Sequence, residues 1–150
     1  LLDIGSHWGY FCHCFEALGY ACSAVEYEPL NLYYLKKLRR AQNRKFTVVE
    51  GSILDTNAPL QFDLVIAVNI FHHFLKTEED FNRFVALLRQ IDSREMVFEP
   101  HSPDEPQMAN AYRNFPPEEF VEFVKSHARY RSVKAIGTAE DGRPLYILSK

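Results

Sequence analysis

Hydrophobic residues along the chain occur in two alternating patterns. Short apolar runs predict β-strands, whereas apolar residues that recur every three or four positions predict helices. The apolar runs cover residues 1–4, 21–26, 46–50, 62–68, 96–99, 132–138 and 145–148. The helical pattern follows Gly9, covers residues 29–43, and begins again after Thr77 and at Pro116. Strands that alternate with helices in this way predict a doubly wound α/β fold with a mostly parallel sheet.

Each predicted helix has an apolar side that we expect to be buried. In the first two helices these residues are Phe11, Cys14, Phe15 and Leu18, followed by Leu30, Tyr34, Leu38 and Ala41. In the last two they are Phe81, Phe84, Val85 and Leu88, followed by Phe120, Phe123 and Val124. Thr77 precedes three acidic residues, a pattern typical of a capped helix start.

The last two predicted strands are joined by a short turn and not by a helix. Asp141-Gly142 lies between them, which is a signal for a β-hairpin. The sheet is therefore expected to end in an antiparallel strand. Residues 62–68 are almost continuously apolar, which predicts a central strand buried on both faces. We see no domain boundary and predict one domain over residues 1–150.

Composition narrows the class of protein. Hydrophobic residues make up 47% and charged residues 25% of the chain, as in globular domains. The net charge of −3 disfavours nucleic acid as a partner. The basic residues at 36–45 form either a nucleic-acid patch or the cationic end of a helix, and we favour the second interpretation. No membrane span or signal peptide is visible, and the chain begins inside a strand without Met, so we expect residues before Leu1.

Three cysteines cannot form an even set of disulfides and fit a reducing, cytoplasmic setting. Cys12 and Cys14 flank His13, which raises the possibility of a metal site. Helical spacing places the two thiols on different faces, and no second pair of ligands follows. We therefore predict no metal site.

The first strand leads into two glycines, Gly5 and Gly9. A strand, a glycine turn and a helix commonly bind a nucleotide-like ligand, with Gly5 allowing a tight turn and Gly9 allowing the ligand to approach the backbone. The spacing G-x-x-x-G differs from the dinucleotide fingerprint G-x-G-x-x-G. Asp3 would repel a pyrophosphate but suits a ligand with positive charge.

Three features together resemble the class I S-adenosylmethionine-dependent methyltransferases. Residues 3–9 are similar to the first motif of that family, D-x-G-x-x-x-G, and the closing hairpin is similar to its reversed last strand. Residues 62–73 read F-D-x-V followed by H-H and resemble the fourth motif of its small-molecule members. The resemblance covers nearly the whole chain. It implies a Rossmann-like seven-stranded sheet with an antiparallel last strand and helices on both faces.

The resemblance also implies that S-adenosylmethionine binds across the carboxyl ends of the strands. Glu26, at the tip of the second strand, is placed to accept hydrogen bonds from ribose hydroxyls, while Glu28 competes for that role or favours the start of the next helix. The residues expected to bind the cofactor are Asp3, Gly5, Ser6, Gly9, Glu26, Tyr27, Ser52, Ile53, Asn69 and Phe71. Among these, Tyr27 and Ile53 would flank the adenine, and Asn69 and Phe71 would lie near the sulfonium.

One position departs from the family. Members typically have Gly-Asp after the third strand, and the acid contacts the adenine amino group. Here Ser52 follows Gly51. The alternatives for the adenine contact are the Ser52 hydroxyl, the backbone of Ile53, and the carboxylate of Asp55.

Candidate catalytic residues follow the fourth strand. A hydroxyl or ammonium acceptor requires a base, for which we propose His72 or His73, whereas a thiol or soft carbon requires none. Residues 100–115 are either a substrate lid or a plain connecting loop, and their substrate candidates are His101, Tyr112 and Arg113.

The sequence thus predicts a methyltransferase that moves a methyl group to a small molecule by in-line displacement and without a metal. The first alternative is a non-catalytic cofactor-binding or partner subunit with the same fold, which the Ser52 departure supports. The second alternative is an NAD-dependent oxidoreductase, which the absence of a third glycine disfavours.

Overall fold

The computed structural model describes residues 1–56 and 59–150. Contacts within the chain divide it into two compact units, Leu1–Thr56 and Asn57–Lys150.

The first unit contains three parallel strands and two helices. Its elements are β1 (Leu2–Ile4), α1 (Tyr10–Ala17), β2 (Ser23–Glu26), α2 (Pro29–Ala41), β3 (Thr47–Glu50) and a short 3-10 helix (Ile53–Asp55). The strands lie in the order β3-β2-β1, with Ile4 beside Val25 and Glu26 beside Glu50. Because the three strands are parallel, the segments that follow them leave from the same edge.

The second unit contains four strands and two helices. Its elements are β4 (Leu60–Ala67), a 3-10 helix (Phe71–Leu75), α3 (Glu78–Gln90), β5 (Ile91–Phe98), a 3-10 helix (Pro106–Met108), α4 (Pro117–His127), β6 (Ser132–Thr138) and β7 (Pro144–Ser149). β4 and β5 are parallel, whereas β7 lies between β5 and β6 and is antiparallel to both. The predicted terminal hairpin is confirmed, with Gly142 in its turn at φ 88°.

Aromatic side chains form the core of the second unit. Phe71, Phe84, Phe98 and Phe120 have no exposed surface. The Phe71 ring lies 4.8 Å from Phe84 and 5.5 Å from Phe98, between centroids. This core fixes the carboxyl ends of β4 and β5, which Asn69 and Glu99 follow.

The buried sides of α1 and α2 differ from the prediction. In α1 the structure buries Cys12 and His13, while Leu18 is 73% exposed. Of the predicted apolar side, Cys14 is also exposed, and Phe11 and Phe15 are partly exposed. The buried side is set by Gly9, because the helix starts there and residues three and four positions later share its face. In α2 the buried residue is Leu35, whereas Leu30 is 59% exposed. The helix α2 has leucines on several of its own sides, so the apolar periodicity alone does not identify which leucine is buried.

Strand β5 is longer than residues 96–99, the predicted range. It begins at Ile91, which pairs with Leu60 of β4. Its first half alternates buried Ile91 and Ser93 with exposed Asp92 and Arg94, so the apolar signal is weak there. The predicted cap of α3 is confirmed, since the Thr77 hydroxyl accepts a hydrogen bond from the Asp80 N–H at 3.1 Å.

Packing around Gly9 generates a stability prediction. A Cβ atom at Gly9 would lie 2.4 Å from Leu35 Cδ1 and 3.3 Å from Phe46 Cζ, and φ is +83°. Gly19 has a similar φ of +91° with nothing within 4 Å of its Cβ position, so it is the matched control. We expect Gly9→Ala to lower the free energy of unfolding by about 1–3 kcal/mol more than Gly19→Ala, measured by urea denaturation. Equal losses at the two positions would contradict the packing account.

Candidate functional site

The loop from Gly5 to Gly9 closes tightly after β1. The N–H groups of Gly5 and Ser6 both donate to the Val25 carbonyl at 3.0 Å, and the Gly9 N–H donates to the Ser6 carbonyl at 2.7 Å. Gly5 has φ 73°, in the left-handed region that glycine adopts without strain. The structure therefore shows the tight turn that we predicted at Gly5.

Glu26 connects this loop to the end of β2. Its buried carboxylate accepts the His7 N–H at 2.8 Å on Oε2. On Oε1 it accepts the N–H groups of Tyr27 and Glu28, both at 2.9 Å. A carboxylate has about four acceptor positions, so these three bonds leave capacity for a ligand hydroxyl. The Glu28 side chain caps α2 through the Asn31 N–H at 2.8 Å, which is its predicted alternative role.

Asp3 and Ser6 are buried polar residues with unused hydrogen-bonding atoms. Asp3 is 2% exposed, and neither its Oδ2 nor the Ser6 Oγ has a hydrogen-bond partner among the described residues. Burial and, secondarily, the negative charge of Glu26 raise the pKa of Asp3 to about 7. An unpaired buried acceptor of this kind costs free energy unless a donor from outside the chain reaches it.

The structure shows a packing reason for the absence of a side chain at Gly9. Its Cβ position is directed at Leu35 and Phe46, not at an open space for a ligand. Gly9 is required by packing inside the first unit. A contact between its backbone and the cofactor stays a prediction.

The three residues predicted near the adenine lie in different environments. Tyr27 is 63% exposed and directly follows Glu26. The Ser52 Oγ accepts the Leu54 N–H at 3.2 Å and so caps the 3-10 helix, with its own proton still available to a ligand. Ile53 is buried, so its side chain supports the loop. Its predicted contacts with the adenine, through the side chain or the backbone, stay predictions.

In the second unit, Asn69 and Phe71 follow β4 but face opposite environments. Asn69 is exposed, with φ 55°, and its Oδ1 accepts a hydrogen bond from Arg143 Nη1 at 2.5 Å. Phe71 has no exposed surface and packs on Phe84 and Phe98. Its ring is part of the core, and a place near the sulfonium stays a prediction.

The two candidate bases also differ. His72 is 2% exposed, its Nε2 has no partner among the described residues, and burial, then the charges of His73 and Arg143, lower its pKa to about 3. His73 is exposed, and partial desolvation followed by the charges of Lys76 and Arg143 lowers its pKa. His73 is the better base, because a group with a pKa near 3 accepts a proton poorly at neutral pH.

The structure separates the three substrate candidates. His101 is buried, its Nε2 lies 2.9 Å from Asn114 Oδ1, and burial lowers its pKa. Tyr112 and Arg113 instead lie against α3: the Tyr112 hydroxyl donates to Glu78 at 3.3 Å, and the Arg113 guanidinium lies 5.6 Å from the Phe81 ring. Only His101 is near His72, with 6.1 Å between ring centroids.

Sequence reasoning missed Arg143. Its side chain is 10% exposed, and its guanidinium donates to Glu105 through two nitrogens, at 2.8 and 2.6 Å, and to Glu99 at 3.0 Å. These partners are 38 and 44 positions away along the chain. The only local signal is an arginine beside the Asp141-Gly142 turn, which does not indicate a buried contact.

The three cysteines are free thiols in different environments. Cys12 is buried and Cys14 is exposed, as the helical spacing predicted. No group of three or more potential ligands among the described residues has the arrangement of a metal site. Over residues 1–56 and 59–150, no helix is both long and apolar enough to cross a membrane.

A family model described as a methyltransferase domain matches residues 2–91, which are 90 of the 150 residues. The chain belongs to this methyltransferase family. The resemblance that the first and fourth motifs carried is thereby confirmed. No curated protein sequence matches the chain significantly.

Solved structures confirm the fold. WbdD, a bifunctional kinase-methyltransferase, is 21% identical with a TM-score of 0.79. A putative O-methyltransferase from Nostoc punctiforme is 19% identical with a TM-score of 0.74. Both alignments cover 99% of this chain but only 34% and 50% of the other chains. The methyltransferase domain of bacterial CtHen1 is 12% identical, with a TM-score of 0.70, and is covered over 89% of its length. The seven-stranded Rossmann-like fold with a reversed last strand is thus confirmed.

The raised pKa of Asp3 predicts how stability depends on pH. The folded-state pKa of about 7 exceeds the ordinary value of 3.8, so folding favours the protonated acid. The protonated Asp3 side chain contributes fully to the stability of the folded state below pH 4, and this contribution is lost as the pH rises through 7. We expect Asp3→Asn, which cannot ionise, to gain stability relative to the unsubstituted protein between pH 5 and 8, by no more than about 4 kcal/mol. Urea unfolding at several pH values measures this difference, and a constant difference would contradict the assignment.

Proposed function

We propose that this domain binds S-adenosylmethionine and transfers its methyl group to a small-molecule acceptor. The observation that carries the proposal is the buried Asp3 carboxylate, whose Oδ2 has no partner among the described residues. Membership of the methyltransferase family supports the activity. Because this chain spans only a third to a half of WbdD and the Nostoc protein, we propose the activity for this domain alone.

The residues of the first unit fit the cofactor. S-adenosylmethionine carries an ammonium and a sulfonium, and either positive charge near Asp3 would favour its ionised form and lower its raised pKa. The ammonium would also supply the donor that Asp3 Oδ2 lacks. Ser6, with its unpartnered buried hydroxyl, is the second candidate for this part of the ligand.

Glu26 has two functions in this proposal. Through the His7 N–H it holds the glycine loop in shape before the ligand arrives. Its remaining acceptor capacity suits the ribose hydroxyls, which are donors. Tyr27 provides an exposed ring for the adenine, and the Ser52 hydroxyl provides a donor for a ring nitrogen.

When bound, S-adenosylmethionine supplies a methyl group attached to a positively charged sulfur leaving group. The chain then has to orient the acceptor, exclude water and remove a proton where the acceptor is a hydroxyl or ammonium. We assign proton removal to His73, which is exposed and less strongly depressed in pKa than His72. Asn69, exposed after β4, is the candidate for orienting a bound group.

The acceptor is proposed to be a small molecule with an oxygen nucleophile. The net charge of −3 gives no support for a nucleic-acid substrate. The similar Nostoc protein is a putative O-methyltransferase, and an oxygen acceptor is consistent with a histidine base in the second unit. Transfer to a thiol would require no base and would leave His73 without a catalytic role.

Binding of S-adenosylhomocysteine tests the cofactor site. We expect it to raise the melting temperature, and we expect Asp3→Asn to weaken its binding at least tenfold, about 1.4 kcal/mol, in isothermal titration calorimetry. Asp92→Asn is the control, since Asp92 is an exposed residue paired with Lys150 in the second unit. No binding by the unsubstituted protein at millimolar ligand would contradict the proposal.

Methyl transfer from radiolabelled cofactor to a panel of small hydroxyl and amine acceptors tests catalysis. With an active acceptor, His73→Gln should lower kcat by about 100-fold or more and leave S-adenosylhomocysteine affinity unchanged. Because the pKa of His73 is lowered from 6.5, the rate should rise with pH below 6.5 and be level at neutral pH. An unchanged kcat would remove His73 as the base. Cofactor binding without transfer to any acceptor would favour the non-catalytic alternative.

A further inference from the structure

We infer that Arg143 is a positioning residue that fixes Asn69, Glu99 and Glu105 after the ends of β4 and β5. Its effect on methyl transfer rests on the proposed function, whereas the geometric part does not. All four residues belong to the second unit, and Arg143 reaches the others from the turn of the terminal hairpin.

The guanidinium is held on three sides. Its Nε and Nη2 bind the two oxygens of Glu105 at 2.8 and 2.6 Å, which is a bidentate pair. Its Nη1 donates both to Glu99 Oε1 at 3.0 Å and to Asn69 Oδ1 at 2.5 Å. The side chains of Arg143 and Glu99 are only 10% and 4% exposed. Lysine cannot reproduce this planar set of donors, so the contact requires arginine.

The carboxylates around Arg143 stabilise its guanidinium in this position. Burial acts to raise the pKa of Glu105, but hydrogen bonds from the Ser102 N–H and Arg143 hold it at about 2. Burial raises the pKa of Glu99, and Arg143 opposes that rise. Three carboxylates pair with the guanidinium, those of Glu99, Glu105 and Asp141. Glu99 and Glu105 are the least exposed of them, and leaving them without their cation would be a costly arrangement.

The bond to Asn69 also determines which way its side-chain amide faces. Because Oδ1 accepts from Arg143, the NH2 group of Asn69 is directed elsewhere and is available as a donor. Asn69 has a left-handed backbone at φ 55°, which asparagine tolerates better than most residues. Arg143 therefore fixes both the position of Asn69 and the donor that it presents.

Arg143 also borders open space. A cavity of about 590 Å³ is lined by residues that include Ser102, Glu105, Asp141 and Arg143. A small molecule in this cavity would touch the same network that orients Asn69. Arg143 would therefore connect a molecule bound in this cavity with the orientation of Asn69.

The test compares Arg143→Gln and Arg143→Lys with Arg94→Gln, a control at an exposed arginine of the same unit that pairs with Asp63 at 3.5 Å. The first readout is the side-chain amide resonance of Asn69 in ¹⁵N NMR, assigned with Asn69→Ala. We expect both Arg143 variants to shift this resonance and the control to leave it unchanged. An unmoved resonance in either folded Arg143 variant would overturn the inference.

The second readout separates positioning from simple stabilisation. We expect kcat to fall about 10- to 100-fold in both Arg143 variants, with S-adenosylhomocysteine affinity within about twofold of the unsubstituted protein. Arg143→Lys retains the charge, so it remains informative where Arg143→Gln fails to fold. An unchanged kcat would overturn the catalytic part. Failure of the unsubstituted protein to bind S-adenosylhomocysteine would instead contradict the proposed function. The Asn69 resonance would still test whether Arg143 fixes the side chain of Asn69.

Discussion

The glycine loop of the first unit depends on one buried carboxylate, that of Glu26. Three backbone N–H groups donate to it, and the one from His7 comes from the loop itself. Backbone donors at a strand end would otherwise need water or a ligand as partner. Glu26 satisfies them within the protein, and the loop therefore has its shape before any ligand is present.

The carboxylate of Glu26 also opposes the ionisation of Asp3, the neighbouring buried acid. Asp3 is buried in β1, and both desolvation and the charge of Glu26 oppose its ionisation. The first unit thus contains two buried acids and an unpartnered Asp3 oxygen, an arrangement that a positively charged ligand would stabilise. The repulsion between these two acids therefore both lowers the stability of the first unit when Asp3 is ionised and favours a positively charged ligand.

Much of the architecture could be predicted from the sequence, because strands, caps and turns depend on neighbouring residues. The hairpin at Asp141-Gly142 and the cap at Thr77 are examples, as is the tight turn at Gly5. The buried side of α1 could not, because it is set by Gly9 packing on Leu35 rather than by the largest apolar residues. The burial of the Phe71 ring could not be predicted either, because the sequence indicates its position after β4 but not the direction of its ring. Arg143 was missed because its buried contacts with Glu105, Glu99 and Asn69 join positions that are 38 to 74 residues apart.

The pKa of Asp3 with and without ligand tests the central claim most directly. Carboxyl ¹³C NMR can follow its titration in the free protein and in the presence of saturating S-adenosylhomocysteine, which retains the ammonium group. The account predicts a pKa near 7 in the free protein. It predicts a fall of at least about 2 units when the ligand binds, the range typical of a nearby opposite charge. A pKa that stays the same on binding would show that Asp3 does not meet the positive charge of the ligand, and would contradict the account.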